Sequence, residues 1–187
     1  MSVAAKLRQK EARRFEDDLA RDLGATRVFL SGAGTEKADV RKRARYARRL
    51  GTPMRLSTLT FRVEAKTTRR HYYAFRATDW WDLVRAADAA MEIPVFAVRF
   101  LGALTSTEVV LIRKGFANEL GTGAVTAYPM RMDKSRQIRA DDTHYRIGID
   151  GTHEVLFLMS YSTFLEKLYD HPDFRSGTPR PDASQHR

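Results

Sequence analysis

Within residues 6 to 23 the charged positions are interrupted by Phe15, Leu19 and Leu23. Spacings of i, i+4 and i+8 put these three on one stripe of a helix, and Gly24 predicts its end. Thr26 to Leu30 is short and β-prone. Thr60 to Lys66 is, around its charged positions, apolar and β-branched and predicts a strand. Thr78 is placed to cap a helix through Met91, with Trp80 or Trp81, Val84, Ala87 and Met91 on one face. Ile93 to Phe100 is nearly continuously apolar, as suits a strand buried on both faces, and Glu108 to Ile112 adds another strand. Tyr145 to Asp150 alternates, Asp150-Gly151 signals a turn, and Glu154 to Met159 returns, which predicts a hairpin. Ser162 then caps a helix carrying Phe164, Leu165 and Leu168. This order predicts an α/β fold with a mixed central β-sheet flanked by helices.

The 187 residues suit one domain with a real core, expected over 1–170, followed by a loose polar tail over 171–187 that contains Pro172, Pro179 and Pro181. Lys and Arg number 33 against 23 Asp and Glu, a formal net charge of +10, and the pI is near 10.1. Such a balance favours a polyanionic partner, nucleic acid first. Arg41, Lys42, Arg43, Arg45, Arg48 and Arg49 crowd into nine residues. Their mutual repulsion is relieved if phosphates neutralise them, so 41–59 is read as an inserted basic arm, part helical, ended by Gly51-Thr52-Pro53. The absence of cysteine excludes disulfides, thiol nucleophiles and zinc–thiolate sites. With no apolar signal core and no long apolar run, the expected location is cytoplasmic, away from membranes.

The candidate chemistry centres on Phe61-Arg62-Val63-Glu64-Ala65-Lys66-Thr67. Two apart on a strand, Glu64 and Lys66 point to the same face and set a carboxylate beside an ammonium. If Asp39 joins them, hard oxygen ligands and a cation share one pocket, which suits Mg²⁺ and phosphate. Ser31-Gly32-Ala33-Gly34 follows a predicted strand, and its glycines permit close backbone approach to a phosphate. Arg69 and Arg70 run into His71, Tyr72 and Tyr73, a mixture able to track a backbone and stack on an unpaired base, although the tyrosines equally suit packing. On the first helix Glu16 lies at the edge of the buried stripe, with Glu11 as its rival.

Four pieces in order resemble the PD-(D/E)XK nuclease superfamily, and within it the archaeal and phage Holliday junction resolvase-like endonucleases. They are Phe15-Glu16-x-x-Leu19-x-x-x-Leu23, Val28 to Gly32, Asp39, and Glu64-x-Lys66 followed by a helix and the strand Ile93 to Phe100. The resemblance covers roughly residues 11 to 115, and it departs from the family pattern in lacking a proline before Asp39 and in the long basic insert after it. It implies a restriction-endonuclease-like core and a Mg²⁺-dependent DNA endonuclease, with Mn²⁺ as a substitute. Asp39, Glu64 and the Ala65 carbonyl would hold the metal, Glu16 would complete the site, and Lys66 would orient or deprotonate the attacking water. Ser31 and Gly32 would contact phosphate. The implied partner is branched DNA, cut by a homodimer. The alternatives are a restriction-like or repair nuclease acting on duplex, flap or single-stranded DNA, and a non-catalytic DNA-binding module in which Glu64 and Lys66 are a surface ion pair.

Overall fold

The computed structural model describes residues 3–27, 40–42, 46–49, 52–55, 59–102, 106–123, 127–142, 144–172 and 174. The chain begins with α1 (Val3–Asp22), β1 (Thr26–Arg27), β2 (Val40–Lys42), β3 (Tyr46–Arg49) and β4 (Thr52–Arg55). It continues through β5 (Phe61–Thr68), β6 (Tyr72–Arg76), α2 (Ala77–Ala89), β7 (Ile93–Leu101), β8 (Ser106–Arg113) and α3 (Lys114–Glu119). The last elements are β9 (Ala127–Met130), β10 (Ser135–Arg139), β11 (Tyr145–Ile149), β12 (Val155–Ser160) and α4 (Tyr161–Asp170). Eight strands form one mixed sheet in the order β1-β2-β5-β7-β8-β12-β11-β9. Within it β5 pairs with β7 in parallel and β9 with β11 in parallel, while β2 meets β5 antiparallel. The ribbon β6–β10 and the hairpin β3–β4 are separate two-stranded units. This is the mixed α/β architecture that the order of elements predicts.

The pleat divides the interior in two, because successive side chains leave a strand on opposite faces. Phe61, Val63, Val95, Ala97, Val110 and Ile112 point to one face and pack with Phe15, Leu19 and Leu23 of α1 and with Phe116, Phe164 and Leu168 of α3 and α4. Phe96, Val98, Val109 and Leu111 point to the other, beneath Trp80, Leu83 and Val84 of α2 and Phe75 and Ile138 of the β6–β10 ribbon. The stripe on α1 is buried as its spacing predicts, and Gly24 terminates the helix at φ 56°. The β11–β12 hairpin and the doubly buried β7 also agree with the sequence reading.

Several elements differ from expectation. Arg41 and Lys42 belong to β2, a strand of the main sheet, and Arg48 and Arg49 to the β3–β4 hairpin. The described parts of 41–55 are therefore strand, not helix, and β-pairing with β5 claims the start of the presumed arm. Arg76 is the N-cap of α2 without a side-chain cap bond, so Thr78 sits inside the first turn, and the helix stops at Ala89 with Met91 exposed. Ser160, not Ser162, caps α4, accepting from the Thr163 backbone N–H at 3.1 Å. The expected tail loses its first residues to the core: Phe174 is buried with its ring 6.2 Å from Phe61 and 5.4 Å from Tyr169. No helix among the described residues is long and apolar enough to cross a membrane.

Candidate active site

Alternation along β5 sets the site. With Phe61, Val63 and Ala65 turned to the α1 core, Arg62, Glu64 and Lys66 share the opposite face, toward α2 and β6. Exposure rises along this row. Arg62 lies deepest, its Nε donating to Glu92 at 2.7 Å, with the two side chains 6% and 4% exposed. Glu64 and Lys66 follow at 22% and 37% exposed, and the Lys66 ammonium donates to Glu64 at 2.5 Å. Glu64 lies across the parallel ladder from Phe96, whose ring packs 5.9 Å from Tyr73 and 5.2 Å from Phe75. Burial pushes the Tyr73 hydroxyl above its usual range; Lys66 and Arg76 pull it back, while Asp79 and Glu64 push the same way as burial. The aromatic ring thus reports one shared electrostatic neighbourhood. The described ladder with β2 ends at Val63 opposite Val40, and β5 runs on from Glu64 to Thr68. Next to that extension opens a cleft of about 420 Å³ lined by Thr67, Thr68, Arg70, Tyr72, Tyr73, Ala74, Arg76 and Asp79.

Of the residues singled out in the sequence, Glu64 and Lys66 are brought together. The Ala65 side chain packs on the α1 side of the same strand. Glu16 is half-buried on α1, a helix whose Phe15 and Leu19 pack on the face of the sheet opposite to the one that Glu64 shares. Its rival Glu11 is not simply solvated: its carboxylate accepts both 2.9 Å and 3.1 Å hydrogen bonds from Arg69, tying α1 to the end of β5. Arg69 is accordingly committed to an ion pair, while Arg70 borders the cleft with its guanidinium 5.9 Å from the Tyr72 ring centre. His71 lies edge-on to Tyr72 at 5.0 Å. Ser31, Gly32, Asp39, Arg43 and Arg45 lie outside the described residues. Sequence reasoning missed Arg62–Glu92, Arg76 and Asp79. The repeat Arg62-x-Glu64-x-Lys66 carried a signal for Arg62; nothing local marks Asp79, which a helix start brings in.

Among the described residues no group of three or more His, Asp or Glu is arranged to hold a metal ion. Among the described residues Glu64 is the carboxylate paired with Lys66. Mg²⁺ keeps most of its waters and commonly takes one or two carboxylates plus substrate phosphate, so this donor set fits a cation shared with a phosphate better than an all-protein cage. No family model matches the sequence, and no curated protein matches it. Among solved structures the chain is similar to Hjc, a Holliday junction resolvase from the archaeal hyperthermophile Archaeoglobus fulgidus. The likeness runs at 20% identity over 51% of this chain and 72% of that one, with a TM-score of 0.35, a value that carries no functional weight.

Proposed function

We propose that this protein is a Mg²⁺-dependent endonuclease that hydrolyses DNA phosphodiesters, with four-way junctions as its preferred substrate and Mn²⁺ as a substitute metal. The observation that carries the reading is the Glu64–Lys66 pair on one face of β5 beside an open cleft. In this reading Glu64, Asp39 and the Ala65 carbonyl hold the metal. Asp39 precedes Val40, which faces Val63 across the ladder. Mg²⁺ bound there supplies Lewis acidity and makes water a better nucleophile at neutral pH. Lys66, released from Glu64 when phosphate enters, orients the attacking water and offsets negative charge developing on the phosphoryl oxygens. Ser31 and Gly32 approach the phosphate, and Arg41, Lys42, Arg43, Arg45, Arg48, Arg49 and Arg70 follow the backbone in a protein of net charge +10. Symmetric incision of a four-way junction requires two sites, hence a two-fold homodimer.

The test is cleavage of four-way, flap, duplex and single-stranded DNA with Mg²⁺ and with chelator. Glu64→Gln and Lys66→Ala should each lower turnover at least about a hundredfold, the scale for removing a group that stabilises transition-state charge. Binding of DNA by Glu64→Gln should be undiminished, since a carboxylate repels phosphate. Wild-type turnover in both variants would sink the site. Undiminished DNA binding without metal-dependent cleavage would leave a binding module in which the two residues are an ion pair.

A further inference from the structure

We infer that the cleft beside Glu64 and Lys66 receives one unpaired nucleotide of the bound strand, which makes locally unpaired DNA the substrate class; the inference rests on the nuclease reading for the identity of the polyanion. Tyr72, Ala74 and Arg76 share one face of β6, while Tyr73 and Phe75 turn to the core and pack on Phe96. At about 3.3 Å per residue, the outer pair stands about 13 Å apart along the strand. Between an aromatic ring and a guanidinium lies only the methyl of Ala74, which leaves the cleft floor low. The volume, about 420 Å³, falls within the range of small-molecule sites.

The chemistry of the lining selects the occupant. Tyr72 is half-buried and already has the Arg70 guanidinium 5.9 Å from its ring centre, so a planar group can stack there. Every nucleobase offers such a face, whereas a duplex keeps its faces stacked on neighbouring pairs. Arg70 and Arg76 form no salt bridge among the described residues, and Arg76 is exposed. The base is placed on Tyr72, the sugar over Ala74 beside Thr68, and its phosphate at Arg76. Asp79 is the one carboxylate in the lining. Thr67 and Thr68 continue the strand that carries Lys66, so the unpaired nucleotide lies next to the phosphate to be cut.

The experiment measures binding in chelator, where no hydrolysis can occur. Short single-stranded oligonucleotides containing 2-aminopurine, and the same sequence as duplex, are titrated with wild type, Tyr72→Ala, Tyr72→Phe and Arg76→Ala, each checked by thermal melting. Quenching of 2-aminopurine is expected with wild type. Tyr72→Ala should weaken single-strand binding at least about fivefold, as loss of one base stack does, and remove the quenching, while Tyr72→Phe retains both. Duplex affinity should change by less than about twofold, because no base face is offered. Arg76→Ala should flatten the slope of log affinity against log salt on single strands by up to about 0.7. Equal losses on single strand and duplex, quenching that survives Tyr72→Ala, or an unchanged salt slope would overturn the assignment. These outcomes are read without catalysis, so they are independent of whether Glu64→Gln abolishes cleavage.

Discussion

Met91 occupies a backbone position that the chain elsewhere gives to glycine. At the end of α1 the Ala25 N–H bonds to the Ala20 carbonyl at 2.7 Å and the Gly24 N–H to the Arg21 carbonyl at 3.0 Å, with Gly24 at φ 56°. At the end of α3 Thr122 bonds to Ala117 at 3.1 Å and Gly121 to Asn118 at 2.9 Å, with Gly121 at φ 69°. The end of α2 repeats this pair, Glu92 to Ala87 at 2.8 Å and Met91 to Asp88 at 3.1 Å, but with methionine at φ 55°. A side chain in the left-handed region costs about 1 kcal/mol or more, and Met91, 90% exposed, recovers little of it by packing. Met91→Gly should therefore stabilise the protein by about 0.5–1 kcal/mol, the greater freedom of glycine in the unfolded chain offsetting part of the relief. Urea denaturation measures it. A loss of stability instead would show that the methionine side chain contributes to the fold.

At the scale of elements, that same turn delivers Glu92 to Arg62 and so joins the α2–β7 connection to the strand carrying Glu64. Both groups of the pair are buried. Removing one strips the other of this ion pair, so Arg62→Met or Glu92→Met alone should lose about 3 kcal/mol or more, whereas the double substitution Arg62→Met with Glu92→Met should lose much less than the sum of the two. Additive losses in that double-mutant cycle would mean the two groups act separately. Glu92 was not legible in the sequence because its partner is 30 residues away. What was legible follows from local pattern. The α1 stripe, the apolar run of β7 and the alternation of β11 each declare their period within one element. The β6–β10 ribbon declares nothing, since Tyr72–Arg76 acquires its partner Ser135–Arg139 only through the fold. Parity made Glu64 and Lys66 legible as a pair, but which face α1 would cover was not, and that choice sets the stripe of the helix carrying Glu16 on the opposite face. Glu16→Gln should accordingly keep cleavage within about threefold of wild type. A loss of about tenfold or more, roughly 1.4 kcal/mol of transition-state stabilisation, would place its carboxylate in the reaction.

Across the whole molecule, tyrosines in different layers titrate against the fold. Burial pushes the Tyr145 hydroxyl up to about 12, with Asp142 pushing the same way and Arg136 opposing; burial and Asp22 hold Tyr161 well above the usual range. In the unfolded chain these phenols ionise near about 10. A folded-state pKa raised above the unfolded value means that the unfolded state binds fewer protons between the two, so stability is intact below about pH 10 and falls as pH rises toward about 12. A second effect runs the other way, because the net charge of +10 at neutral pH shrinks toward the pI of about 10.1 and relieves self-repulsion. Comparison with Tyr145→Phe separates them, as both proteins carry nearly the same remaining charge. At pH 8 the variant should be less stable by about 1 kcal/mol, having lost the hydrogen bond from the Tyr145 hydroxyl to Asp142 at 3.1 Å. The deficit should close as the pH passes from 10 to about 12, since the variant has no phenol to hold neutral. Chemical denaturation at each pH measures the gap, and a deficit constant across that window would show that burial does not hold the Tyr145 phenol neutral.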